Sequence, residues 1–377
     1  MKTNRSFVQI FVAATLIAQP CLAKQFKYPT QKVGGGELRY IENIPVATLS
    51  GTPEQIGLQY AKLVGKPGEP LLKYTRTMLT RAGLQDAWPM VANVSKQLMS
   101  RAPLRYQSEI KTVIETAVVD PDEMFVANSL LELRRLGCST LIVEAERSAT
   151  GSPIFGRNFD FPTLGILHRY SVLTIVRPQG THAFASVGFP GLMGVISGMN
   201  DAGLAIATLD VEATSNGSPQ FDPSGPPMML VFRQILENCE TVAEAEALLE
   251  NTKATTWANL AVADTKTSAV FEITPTEVGR RDAVSGILPC TNHFRCEGLA
   301  ANTTCSRFES LLTATSTDTL SIGDVHQHLD EVNQDQLTLQ TMIFEPRELM
   351  LHLAIGKLPS SKSPLVRINL SELFTTE

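Results

Sequence analysis

Residues 136–162 read LGCSTLIVEAERSATGSPIFGRNFDFP, and the fold follows from how this stretch pairs with itself. An extended, apolar run goes from Ser139 to Glu144. A polar stretch, Ala145 to Pro153, then turns the chain, and a second extended run returns through Ile154 and Phe155 to Arg157, Asn158, Phe159 and Asp160. Two short extended runs joined by polar turn residues predict an antiparallel hairpin. Such a hairpin brings Arg157 and Asp160 back to the neighbourhood of Cys138. A thiol beside a fixed cation and a carboxylate has the parts of an activated cysteine nucleophile: the cation favours thiolate, and the carboxylate can orient a neighbouring amine or cation.

Upstream of the hairpin the pattern is mostly helical. A first strand is expected at 44–49. Gly51-Thr52-Pro53-Glu54-Gln55 then starts a helix, with Thr52 as cap, Pro53 in the first turn and Gln55 completing a capping box. Further helices are expected over 71–82, 88–102, 104–119 and 123–136, the last ending at Gly137. Downstream the reading is rich in β structure, with strands at 171–177, 183–188, 194–199 and 204–209. An amphipathic helix pair at 228–237 and 242–249 precedes strands at 260–264 and 269–273. Helices near 306–313 and 322–332 and closing strands at 349–354 and 366–370 finish the chain. Strand-rich runs flanking a helical pair predict a layered α+β protein with antiparallel pairing rather than a parallel doubly wound sheet.

Gly137-Cys138-Ser139-Thr140 followed by Gly156-Arg157-Asn158-Phe159-Asp160-Phe161 resembles the junction of cysteine N-terminal-nucleophile (Ntn) amidohydrolases. The pattern is most similar to the penicillin acyl-CoA acyltransferase family (peptidase family C45). Acid ceramidase, N-acylethanolamine acid amidase and choloylglycine hydrolase share the signature. The spacing from Cys138 to Arg157 is longer than in acid ceramidase, and the excess falls in the polar turn. The resemblance runs from the Gly51 helix start to the closing strands. It implies a four-layer αββα sandwich of antiparallel sheets, preceded by a mainly helical segment. It also implies scission between Gly137 and Cys138, giving a chain of 24–137 and a catalytic chain of 138–377 that remain partners, with the freed α-amine of Cys138 as general base. Gly198-Met199-Asn200-Asp201-Ala202-Gly203-Leu204 resembles a family turn whose asparagine borders the oxyanion site. Asn259, opening an apolar strand, matches a family oxyanion donor, and Arg307 matches an arginine near the active site. Thr291-Asn292-His293-Phe294 resembles a further family strand, in which Cys290 replaces the family's first histidine; His293 reads as structural. The implied activity is hydrolysis of linear carbon–nitrogen amide bonds in N-acyl compounds or small peptides. Alternatives are acyl transfer of the penicillin acyltransferase type, a thiol-dependent lipid-ester hydrolase, and a secreted binding domain without turnover.

Composition bounds these readings. The chain has 377 residues, 43% hydrophobic and 19% charged, which suits a soluble globular protein with a large core. Lys2 and Arg5 precede an apolar run from Phe7 to Ala18, and Cys21-Leu22-Ala23 offers a cleavage site. Residues 1–23 therefore read as a signal peptide, too short to span a bilayer, and predict a periplasmic or secreted protein. The net charge of −6 becomes more negative when that segment is removed, and no basic cluster invites nucleic acid. Removal also leaves five of six cysteines, Cys138, Cys239, Cys290, Cys296 and Cys305. An odd number in an exported protein suggests one free thiol, taken as Cys138, with a possible bridge among Cys290, Cys296 and Cys305 and a buried Cys239. No Gly-x-Ser-x-Gly elbow, His-Glu-x-x-His or P-loop competes, and His326 and His328 are spaced to face different ways on a helix, so no cofactor or metal is expected.

Overall fold

The computed structural model describes residues 25–133 and 137–375; the expected signal peptide lies outside the described residues. The chain opens with β1 (Gln31–Val33), β2 (Gly36–Ile41) and β3 (Ile44–Gly51). Helices α1 (Pro53–Tyr60), α2 (Glu69–Leu72), α3 (Tyr74–Arg81), α4 (Trp88–Met99), α5 (Leu104–Ala117), α6 (Pro121–Ala127) and α7 (Leu130–Leu133) follow. The hairpin is β4 (Gly137–Val143) and β5 (Ile154–Asp160), succeeded by β6 (Val172–Pro178), β7 (Phe184–Gly188), β8 (Ser197–Asn200) and β9 (Ala205–Asp210). Next come α8 (Met228–Asn238), α9 (Val242–Glu250), β10 (Ala258–Ala263), β11 (Ser268–Ile273), β12 (Val278–Asp282) and β13 (Ile287–Cys290). The last elements used below are α10 (Ser306–Leu312), α11 (Ile322–Glu331), β14 (Thr338–Glu345), β15 (Met350–Ile355) and β16 (Val366–Asn369). The capping box that starts α1 forms as expected, with Gln55 N–H donating to Thr52 Oγ1 and Thr52 N–H to Gln55 Oε1.

Among the described residues the strands make two sheets. One has ten strands in the order β1-β2-β3-β6-β7-β8-β9-β10-β11-β12, and the other six, β13-β4-β5-β14-β15-β16. Neighbours are antiparallel except β3 and β6, which pair in parallel with Val46 opposite Leu173. Helices α1, α8 and α9 cover one face of the large sheet, and α10 and α11 cover one face of the small sheet. The remaining faces meet through β4 and β9, so the layers run α, β, β, α. This is the expected α+β sandwich, with one addition. The N-terminal segment is mainly helical, but its three strands belong to the large sheet, so it is no separate unit.

Strand alternation sorts the hairpin's side chains by face. Cys138, Ile142, Phe155 and Phe159 join the core shared with Ile206 and Ala207 of β9. Leu141, Val143 and Ile154 join Leu311, Val325 and Leu329 of the covering helices. Each fully buried Phe or Ile contributes about 1.5–3 kcal/mol. At Gly156 the helix approaches so closely that a Cβ would stand 2.5 Å from Val325 Cγ1. Glycine is what allows α11 to lie against the hairpin.

Polar groups fasten the N-terminal helices to α8. Arg233 is buried and forks both carboxylate oxygens of Glu109 on α5, at 2.8 and 2.7 Å. Its Nε donates to Glu237 at 2.9 Å, while Tyr106 OH and Arg105 meet the other Glu237 oxygen. Glu132 on α7 accepts the Met228 N–H at the start of α8, where a carboxylate complements the helix dipole.

Candidate active site

Every pair in the hairpin register is antiparallel, with Gly137 opposite Asp160, Cys138 opposite Phe159 and Thr140 opposite Arg157. Cys138 and Arg157 therefore share the face turned toward the large sheet. Arg157 Nη2 donates to Cys138 Sγ at 3.2 Å, and Nη1 donates to the Thr208 carbonyl on β9 at 2.6 Å. Bonding from one sheet to the other fixes the guanidinium against the sulfur. Asp160 ends β5 on the opposite face, where its two oxygens accept Thr338 Oγ1 and Gln334 Nε2, each at 2.6 Å.

The backbone of Cys138 is held from the far side by a pair of residues. Cys138 N–H donates to Asn292 Oδ1 at 3.0 Å, and Arg307 Nη1 donates to the Cys138 carbonyl at 2.7 Å. Arg307 Nη2 also reaches Asn292 Oδ1 at 2.9 Å, and Nη1 lies 3.8 Å from Asp160. Asn292 is anchored in turn by donating to the Asp210 carbonyl at 2.8 Å. The structure thus gathers Cys138, Arg157, Asp160 and Arg307 around one peptide bond and adds Asn292, Gln334 and Thr338. Asn292 lies inside the Thr-Asn-His-Phe stretch that was legible in the sequence without a role attached. Nothing local marks Gln334 or Thr338.

Two expected oxyanion donors are employed otherwise. Asn200 Nδ2 donates to the Leu236 and Cys239 carbonyls at 3.0 and 2.7 Å, and its Oδ1 accepts the Leu204 N–H. That amide closes the β8–β9 turn onto the end of α8. Asn259 Nδ2 donates to the Thr291 and His293 carbonyls at 2.9 and 3.1 Å, leaving its buried Oδ1 without a partner. Both hydrogens of each amide are spent, so neither is free for an oxyanion in this structure. Asn259 instead pins the loop that presents Asn292.

Charge in the site departs from the simple expectation that a cation makes a thiolate. Burial pushes the Cys138 thiol up to about 11, against the opposing pull of Arg157. Desolvation outweighs the cation, and the sulfur is protonated at neutral pH. Burial likewise raises the Asp160 carboxyl, opposed by the Thr338 and Gln334 donors and by Arg307 and Arg157. All five described cysteines are free, so the expected bridge among Cys290, Cys296 and Cys305 is absent among the described residues. No group of His, Cys, Asp and Glu among them could hold a metal, and no described helix is long and apolar enough to cross a membrane.

A narrow apolar cleft of about 50 Å³ lies alongside the hairpin. Leu71, Leu72 and Tyr74 line it from the N-terminal segment, and Phe159, Phe161 and Phe189 from the rest of the chain. Phe159, which lines the cleft, is the register partner of Cys138.

The family described as acyl-coenzyme A:6-aminopenicillanic acid acyl-transferase matches residues 147–357, more than half of the chain. The chain belongs to this family. The matched region holds Arg157, Asp160, Asn292 and Arg307, and it begins downstream of Cys138. An uncharacterized protein of Archaeoglobus fulgidus is 21% identical over 234 residues, 54% of this chain; the match spans 38% of that protein's length. Among solved structures, the Caenorhabditis elegans ortholog of N-acylethanolamine-hydrolyzing acid amidase aligns with a TM-score of 0.46 and 16% identity. It covers 55% of this chain and 93% of that one. A variant of conjugated bile acid hydrolase from Clostridium perfringens aligns at 0.45 and 16%, covering 64% and 95%. Penicillin V acylase from Agrobacterium tumefaciens aligns at 0.43 and 16%, covering 62% and 87%.

Proposed function

We propose that this chain is an exported, self-cleaving cysteine amidohydrolase that acts on N-acyl amides through an acyl-enzyme on Cys138. The observation that carries the reading is the convergence on one residue: a guanidinium on its sulfur, an amide oxygen on its nitrogen, and a buried carboxylate opposite the preceding glycine. Maturation begins when Cys138 Sγ attacks the Gly137 carbonyl carbon. The new C–S bond replaces the C–N bond, and the thiol proton passes to the departing nitrogen. Water then hydrolyses the thioester, releasing the Gly137 carboxylate and restoring the thiol beside a new α-amine.

That amine changes the protonation problem of the site. An unperturbed α-amine titrates near about 7.7–8.0 and an unperturbed thiol near about 8.5, so exchange between them is almost thermoneutral. In turnover the amine takes the thiol proton as sulfur attacks the substrate carbonyl, and gives it to the leaving amine as the C–N bond breaks. A water deprotonated by the same amine then frees the acid from sulfur. Arg157 faces the sulfur throughout, and Asp160 orients the amine.

The apolar lining of the cleft at Phe159 favours a fatty or aromatic acyl group over a small peptide. Hydrolysis is preferred to acyl transfer, because export separates the chain from a cytoplasmic acyl-CoA donor. Once severed, the N-terminal segment stays in place through its share of the large sheet and the buried Arg233 contacts. The test is hydrolysis of acyl-p-nitroanilides and matched p-nitrophenyl esters of increasing acyl length by the wild type and by Cys138→Ala. Turnover of the amides that rises with acyl length and vanishes in the variant supports the reading. Esterase activity without amidase activity replaces it with a lipid-ester hydrolase, and inertness toward both sets replaces it with a binding domain.

A further inference from the structure

Asp160 is held by a segment that the chemistry above does not use. Both of its donors lie in residues 334–338, which lead from α11 into the first residue of β14. The two are also tied to each other, since Gln334 N–H donates to Thr338 Oγ1 at 2.7 Å. The segment turns through Asp335 at a φ of 50°, a left-handed conformation rare for a residue with a side chain, and Asn333 Oδ1 accepts the Asp335 N–H. A turn so fixed presents the two donors in one geometry. Gln334 also lies against the residue before the bond to be cut: a Cβ on Gly137 would stand 2.7 Å from Gln334 Nε2 and 3.2 Å from Asp160 Cβ. The glycine before the nucleophile leaves room for Gln334 to reach the carboxylate.

We infer that Gln334, together with Thr338, is a positioning residue that aims the Asp160 carboxylate at the amine exposed when the Gly137–Cys138 bond is cut. Gln334 lies against Gly137 and donates to Asp160, the register partner of that glycine. The charged and titratable groups facing Asp160 are Arg157 of its own strand, Arg307 of α10 and, across the hairpin, the Cys138 thiol of β4. The α11–β14 segment adds neutral donors, which stabilise the ionised carboxylate without competing for the amine. Removing one donor raises the pH at which Asp160 ionises, because burial then meets less opposition.

The inference rests on the proposed function, and its test keeps the two apart. Wild type, Gln334→Ala, Thr338→Val and Thr338→Ser are compared for scission and for the pH dependence of kcat/KM on an acyl-p-nitroanilide, with thermal melting as a check on folding. The expected result is an acid limb displaced upward by about one pH unit in Gln334→Ala and in Thr338→Val, the size of one charge-assisted hydrogen bond. Thr338→Ser, which keeps the hydroxyl, follows the wild type. A variant that loses rate by the same factor at every pH, or that keeps the wild-type profile, overturns the inference while leaving the proposed function standing. A wild-type chain that is uncut and inactive overturns both.

Discussion

Replacing Arg233 by methionine tests how the N-terminal helices are fastened. The guanidinium is 2% exposed, Glu109 2% and Glu237 0%, so the variant strands the Glu109 carboxylate in a buried interface and takes one donor from Glu237. Glu237 keeps Tyr106 and Arg105, but Glu109 loses the two guanidinium donors that grip it. Removing one partner from a buried pair costs about 3–5 kcal/mol. With an unfolding entropy of about 2.1 cal/mol/K per residue over roughly 350 residues, that is a fall in Tm of about 4–7 °C. The double variant Glu109→Gln/Arg233→Met leaves no charge unpaired on α5 and should recover most of the loss. Burial already raises the Glu109 carboxyl despite Arg233. A folded pKa above the unfolded one means its contribution is fully present below the unfolded pKa and lost as pH rises. The single variant should therefore lose more at pH 8 than at pH 5, measured by thermal melting at both. Equal melting of single and double variants, or an equal loss at both pH values, would refute the reasoning.

Three other outcomes follow from particular residues. Burial raises Glu123 from 4.5 to about 7 although Arg76 stands 3.0 Å away, so stability falls as pH rises through that range. Glu123→Gln should melt above the wild type at pH 8 and show no gain at pH 4.5; a lower Tm at pH 8 would contradict this. Protein expressed from Lys24 onward, denatured in guanidinium without reductant, should titrate with five thiols per chain, and three or one would show that bridges form. Ala127→Phe intrudes on the apolar cleft and should reduce kcat/KM for long acyl groups by about tenfold, a loss of about 1.4 kcal/mol, while sparing short ones. Equal loss for both would place the acyl group elsewhere.

The hairpin was legible because its two strands are neighbours in sequence and its polar turn is unmistakable, so local pairing alone delivers Arg157 to Cys138. What escaped has a common physical cause. β14 is the central strand that carries Thr338 and lies between β5 and β15, yet all of Thr338–Glu345 is buried, so no alternation of polar and apolar residues announces it. The strand at 44–49 was read, but its parallel partner β6 lies more than a hundred residues away, and no local pattern encodes that choice. Asn200 and Asn259 were recognisable as asparagines in telling places. Whether an amide faces a substrate or a carbonyl depends on what packs over it, here the end of α8 and the loop around Asn292. The sign of the Cys138 shift was hidden for the same reason, since burial between two sheets is a tertiary quantity that outweighs one adjacent cation.

The central claim is that the reacting sulfur belongs to a residue made terminal by the chain's own scission. Intact mass of purified wild-type protein beside Cys138→Ala tests it most directly. The account predicts two fragments divided between Gly137 and Cys138 in the wild type and one uncut, inactive chain in the variant. An active wild type of a single mass, or a variant that is cut and turns over substrate, would contradict it.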